Sequence, residues 1–179
     1  MTVKLWISGA RPKTLTTSLS SVAVGACCAY PVIVGDLNCA QTRSDTSQCA
    51  AVTADAQAMI AASGREDIGI LVDALHFWRA GESLAALSSL PAHHLNYMQL
   101  CDGAAQRPES EQELIRQARS ARNVPGEGGL DLHGLMAALP ATLPVSLEVP
   151  LDGEQGALPP LQRAQLLFNA AQPYLRSCA

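Results

Sequence analysis

No CxxC pair occurs in this sequence. None of its six cysteines (Cys27, Cys28, Cys39, Cys49, Cys101 and Cys178) has a histidine at zinc-finger spacing. That argues against a structural zinc site. A chain with 48% hydrophobic residues does not need disulfides for its core, so most of the cysteines read as small buried hydrophobes in a reducing, cytoplasmic setting. A general positive field is also missing: the formal charge is −4, so no nucleic-acid partner is expected. The glycines at 126, 128 and 129 lack the spacing of a dinucleotide-binding turn. No repeat recurs at a fixed period.

Acid is absent from residues 1–35, where Lys4, Arg11 and Lys13 give +3 and leave −7 for the rest of the chain. Behind this basic start, Thr14 to Gly35 is uncharged but only weakly apolar, with six Ser or Thr residues and Pro31. Three readings stand for it: a marginal membrane helix giving membrane association, an export signal with small residues before Cys27, or an element packed in a soluble domain or a poorly ordered tail. Residues 36–52, rich in Asp, Asn, Thr, Ser, Gln and Cys, read as a linker.

Regular patterning begins at Thr53, a cap for a helix with Ala56, Met59, Ile60 and Ala61 on one side and an exit at Ser63-Gly64. A buried strand is predicted over Ile68–Val72, a helix over Glu82–Leu90, and a strand over Leu95–Cys101. Next come a helix over Glu109–Ala121, a short helix over Asp131–Leu139, a strand over Val145–Val149 and a last helix over Leu161–Arg176. The last helix has Leu161, Leu167, Phe168, Ala171 and Leu175 for docking. The expected organisation is therefore a leader (1–35), a linker (36–52) and an α/β unit (53–179) with about three parallel strands.

Each strand carries polar groups at or near its carboxyl end: Asp73 and His76 after the first, Gln99 and Asp102 at the second, Glu148 on the third. In parallel α/β folds these ends face one side, where sites form. Such a donor set suits a divalent ion such as Mg²⁺, Mn²⁺ or Zn²⁺, which would polarise an oxygen while a carboxylate moves a proton. A carboxylate inside the aliphatic run Val-Ser-Leu-Glu-Val is costly unless it is paired or used.

Two stretches resemble known families. Trp6-Ile-Ser-Gly-Ala-Arg-Pro-Lys-Thr-Leu15 resembles the opening of bacterial 1,4-dihydroxy-2-naphthoate prenyltransferases, although no aspartate-rich motif follows. Asp73-Ala-Leu-His76, Tyr97-Met-Gln-Leu-Cys-Asp102, Pro125-Gly-Glu-Gly128 and Ser146-Leu-Glu-Val-Pro150 resemble, in order and spacing, the carboxyl-terminal half of sugar-phosphate isomerases and epimerases, the xylose-isomerase-like TIM barrels. The resemblance implies a partial (β/α) TIM-type barrel. It makes Asp73 and Glu148 metal ligands, with Gln99 where many relatives have a metal-binding histidine. His76 would face the substrate or a second metal, or take part in catalysis, and Glu148 would be, as in epimerases, one of two proton-shuttling carboxylates.

Plainer roles stand beside these. Asp73 serves equally as a strand-end cap or salt-bridge partner, His76 as a loop histidine bonded to backbone, and Gln99 as an amide satisfied by neighbouring strands. Asp102 suits a substrate contact or a turn, and the Gly-rich turn explains Glu127. Arg122 suits a substrate phosphate or carboxylate, or an exposed helix end. His93 and His94 read as solvated turn residues. A complete barrel takes roughly 250 residues, so a truncated or fused reading frame is expected. It would have weak activity or none in metal-assisted isomerisation or epimerisation of a sugar or sugar phosphate, and the open barrel edge would be covered by self-association, close on the 1–50 segment, or leave the chain unstable. The alternatives are a membrane-associated prenyltransferase-like fragment and a non-catalytic α/β interaction module.

Overall fold

The computed structural model describes residues 33–36, 52–64 and 69–175. The prenyltransferase-like start, all but the end of the 14–35 stretch, and five of the six cysteines lie outside the described residues. Four strands form one parallel sheet: β1 (Ile33–Asp36), β2 (Gly69–Asp73), β3 (Leu95–Leu100) and β4 (Val145–Leu147), hydrogen-bonded in the order β1-β2-β3-β4. Spatial order equals chain order, and helices fill every described connection. That is the singly wound pattern of a barrel wall; a doubly wound sheet would reverse direction at a switch point.

The helices follow their local chemistry. Helix α1 (Val52–Ser63) buries Ala56 and Ile60, one turn apart, and exits at Gly64 with φ of 63°. Helix α2 (Ala74–Arg79) starts directly at the end of β2, capped by Asp73. Helix α3 (Leu84–Ser88) is capped by Ser83 and buries Leu87. Ser110 caps α4 (Glu111–Arg119) by accepting from the Glu113 amide, the Ser-x-x-Glu arrangement of a capping box. Asp131 likewise caps α5 (Leu132–Ala138), whose Leu132 and Leu135 are buried. Helix α6 (Gly153–Ala157) is short, and α7 (Pro160–Ala171) opens with proline in its first turn, where a missing amide hydrogen costs nothing.

Sheet register divides the side chains into two faces. Val72, Met98 and Val145 stand in one row, and Leu100 and Leu147 in another. These point to the helices, with Val72, Met98 and Leu100 fully buried together with Phe77, Leu87 and Leu135. The opposite face carries Leu71 beside Tyr97, then Asp73, Gln99 and Ser146 in one row, because side chains alternate along a strand.

Several expectations differ from the structure: α2 and α6 are not among the predicted helices, and Thr53, expected as a cap, lies inside α1. Strand β1 crosses the predicted leader–linker boundary and was not anticipated: four residues are too few to display a period. The last helix ends at Ala171 rather than Arg176, with Pro173 just beyond. On α7, Leu167 and Ala171 dock, whereas Leu161 is 79% exposed and Phe168 44%. Among the described residues, no helix is long and apolar enough to cross a membrane.

Candidate functional site

The site forms where β2, β3 and β4 end. Asp73 is fully buried at the last position of β2. Its Oδ1 accepts from the His76 amide at 3.1 Å and caps α2, and its Oδ2 pairs with Arg122 Nη1 at 2.6 Å. Both plainer roles foreseen for Asp73 are therefore present, in one carboxylate.

Arg122 is brought there by backbone. Asp102 and Asn123 exchange two N–H···O bonds at 3.0 Å, and the Arg122 amide donates to the Pro150 carbonyl at 3.0 Å. The segment after α4 is thus stitched across the ends of β3 and β4. The guanidinium, 7% exposed, is inside rather than at an exposed helix end. It donates from Nη1 to the Glu148 carbonyl at 3.2 Å and to Cys101 Sγ at 3.4 Å, and from Nε to the Ala118 carbonyl at 3.3 Å. Its Nη2 meets His76 Nε2 at 3.4 Å. Arginine cannot accept a hydrogen bond, so His76 Nε2 is the acceptor in this contact, and a neutral imidazole carries its proton on Nδ1.

Electrostatics follow from this packing. Burial opposes the charge on Arg122, but the Asp73 carboxylate, then Cys101, outweigh it and hold the guanidinium more firmly protonated than usual. Burial, and then Asp73, push the Cys101 thiol up to about 12, against the opposing pull of Arg122. This thiol is a protonated, buried group at neutral pH, not a nucleophile. Cys101 is the member of the cluster not foreseen as a site residue. The available signal was its place two residues after Gln99, which puts it on the same side of the extended chain.

Glu148 follows β4 and donates its amide to the Leu100 carbonyl at 3.2 Å, extending the ladder by one step. It is half-buried and lies two residues after Ser146. Gln99, also half-buried, is the register partner of both Asp73 and Ser146. Asp102 stands apart from this cluster. It is buried, and its Oδ1 accepts from the Gly103 and Leu130 amides while Oδ2 accepts from those of Gly126 and Gly128, at 2.8–3.2 Å. Its carboxylate is the organising centre of the 125–130 loop. Glu127 on that loop accepts from Gln155 Nε2 at 2.9 Å. His93 and His94 pack edge to face in the turn before β3.

Among the described residues, no three His, Cys, Asp or Glu side chains gather closely enough to hold a metal ion. The expected ligand Asp73 has Arg122 as its counter-charge. The described donor set therefore does not fit a divalent ion in this arrangement.

The class defined by this geometry is a parallel α/β barrel wall with polar groups at its carboxyl end. Solved structures share this fold, that of part of a TIM barrel. The chain is similar to the solved IolI protein with a binding zinc atom, with a TM-score of 0.58 and 18% identity, over 68% of this chain and 42% of that one. It is also similar to a xylose isomerase-like TIM barrel/4-hydroxyphenylpyruvate dioxygenase fusion protein, with a TM-score of 0.54 and 21% identity, over 68% of this chain and 20% of that one. A curated relative, 3-dehydroshikimate dehydratase of Pseudomonas aeruginosa, is 26% identical over 102 residues, which are 55% of this chain and 16% of that protein. The chain thus spans less than half the length of each. No protein-family model matches it. The prenyltransferase resemblance of the first residues finds no support in these relatives.

Proposed function

We propose that the carboxyl-terminal mouth of this sheet belongs to a site that moves a proton beside a carbonyl group of a small polyhydroxylated compound, as in isomerisation or epimerisation of a sugar or sugar phosphate. The observation that carries the reading is the register: Asp73, Gln99 and Ser146 share one row of the face away from the helices, with Glu148 one step further on. In this reading Glu148 is the proton-transferring carboxylate, since Asp73 is fully buried and committed to Arg122. His76 directs a substrate oxygen, Gln99 supplies a donor near the developing negative charge, and Arg122 holds Asp73 and His76 in place. Asp102 acts through its loop, which it holds in place beside the strand ends.

A dehydratase reading has its own support in the curated relative. Loss of water next to a carbonyl begins with the same proton abstraction, so both readings assign Glu148 the same task.

Solvent exchange tests the shared step. The purified chain is incubated in D₂O with a panel of ketoses, ketose phosphates and 3-dehydroshikimate, and deuterium entry beside the carbonyl is followed by proton NMR. Exchange with at least one panel member is expected, falling roughly 100-fold or more in Glu148→Gln. Exchange that survives this substitution unchanged argues against the assigned base. Product analysis on the responsive compound separates isomerisation from dehydration.

A further inference from the structure

Four acceptors converge on one side chain. Asp73 Oδ2, the Glu148 carbonyl and Cys101 Sγ all face Arg122 Nη1, at 2.6, 3.2 and 3.4 Å, and His76 Nε2 faces Arg122 Nη2 at 3.4 Å. A carboxylate oxygen, an imidazole nitrogen, a carbonyl oxygen and a sulfur are what a borderline divalent ion would use. Here each is directed at a guanidinium.

We propose that Arg122 is the resident cation of this site and excludes divalent metal from Asp73 and His76. The competition is for the same lone pairs. An ion bound to Asp73 Oδ2 would sit about 2.0–2.4 Å from that oxygen, nearer than Arg122 Nη1 now lies. Ion and guanidinium would then be like charges in contact inside a buried pocket, where separation from water makes repulsion expensive. His76 Nε2 offers a single lone pair, and the contact with Nη2 uses it. Arg122 is not free to swing away: its backbone is bonded to Pro150, its Nε to Ala118, and the side chain is almost wholly enclosed. The inference is independent of the substrate proposed above. Removing the guanidinium leaves the acceptors facing a vacated space. Arg122→Ala therefore removes the competing cation and opens Asp73 and His76 to Zn²⁺ or Co²⁺.

Cobalt titration reads this directly, through visible d–d bands. The full chain, Arg122→Lys, Arg122→Ala and Arg122→Ala/Asp73→Asn are titrated side by side, with folding checked by far-ultraviolet circular dichroism. Wild type and Arg122→Lys are expected to give no saturable spectrum at this site. Arg122→Ala is expected to bind roughly 10–100-fold more tightly than wild type, and the double variant to lose that gain. A wild-type cobalt spectrum that Asp73→Asn abolishes would overturn the proposal. So would a folded Arg122→Ala chain that binds no better than wild type. Should Arg122→Ala not fold, the wild-type titration decides alone. The substrate-exchange experiment with Glu148→Gln is a separate readout, so failure of either inference is distinguishable from failure of the other.

Discussion

At Asp73 one carboxylate serves a helix start and a buried cation together. Its Oδ1 caps α2 and its Oδ2 neutralises Arg122, with no exposure to water. Truncating one partner of such a pair leaves the other charged and unsolvated, which typically costs about 3–5 kcal/mol, whereas replacing both by apolar groups is far milder. Asp73→Ala is therefore expected to lower unfolding stability by about 3–5 kcal/mol in urea titration, with Asp73→Leu/Arg122→Met markedly more stable than the sum of its single changes. Additive single changes would show that the pair is not coupled. Cys101 makes a prediction in pH. Its thiol is pushed up to about 12 in the folded chain, against roughly 8.5 when unfolded. Between those values the unfolded state gives up a proton that the folded state keeps, so stability falls as pH rises through this window and is unaffected by the thiol below it. Cys101→Ala should flatten that alkaline decline in thermal denaturation between pH 8.5 and 11. An unchanged slope would place the alkaline sensitivity elsewhere.

The 125–130 loop shows the same economy at the scale of an element. Four amides from Gly103 to Leu130 point at the single carboxylate of Asp102. A Cβ at Gly128 would run into Asp102 Oδ1 and the Gly103 carbonyl, while Gly126 has φ of 91°, a conformation that side chains disfavour. Both glycines are thus required by backbone closure around the carboxylate. Gly128→Ala and Asp102→Ala should each destabilise by about 1 kcal/mol or more, the first because its Cβ meets the carboxylate and the Gly103 carbonyl, the second because part-buried amides lose their acceptor. Amide exchange at 126–130 should quicken in both. Retention of slow exchange in Asp102→Ala would mean that another group organises the loop. The strands and the longer helices from Thr53 onward are readable because aliphatic runs and apolar periodicity are local signals, whereas α2 and α6, of six and five residues, are too short to display a period. Asp73, Gln99 and Glu148 were readable as strand-end polar groups. The pairing of Asp73 with Arg122 was not, since 49 residues separate them and only the stitching of 121–123 across two strand ends brings them together. The carboxylate expected as a metal ligand is also one half of an ion pair.

For the whole molecule, the sheet has two kinds of strand. Among the described residues β2 and β3 have a neighbour on each side, while β4 pairs with β3 alone and β1 with β2 alone. The sheet's face with Tyr97, Gln99 and Ser146 is half-buried, whereas the helix-facing row of Val72, Met98 and Leu100 is fully enclosed. Opening free energy should follow this asymmetry, since amides bonded within a closed core open only with the global transition and edge amides open locally. Native-state hydrogen exchange by mass spectrometry is expected to give the slowest amides in 70–73 and 98–100, and distinctly faster ones in 145–147 at micromolar protein. The comparison also reads association, because an exposed parallel edge is a template for further pairing. If 145–147 slows toward the rate of 98–100 as protein concentration rises, a second copy is covering β4. If 145–147 matches 98–100 at every dilution, its outer edge is already paired within the chain, and the picture of β4 as an open edge is wrong.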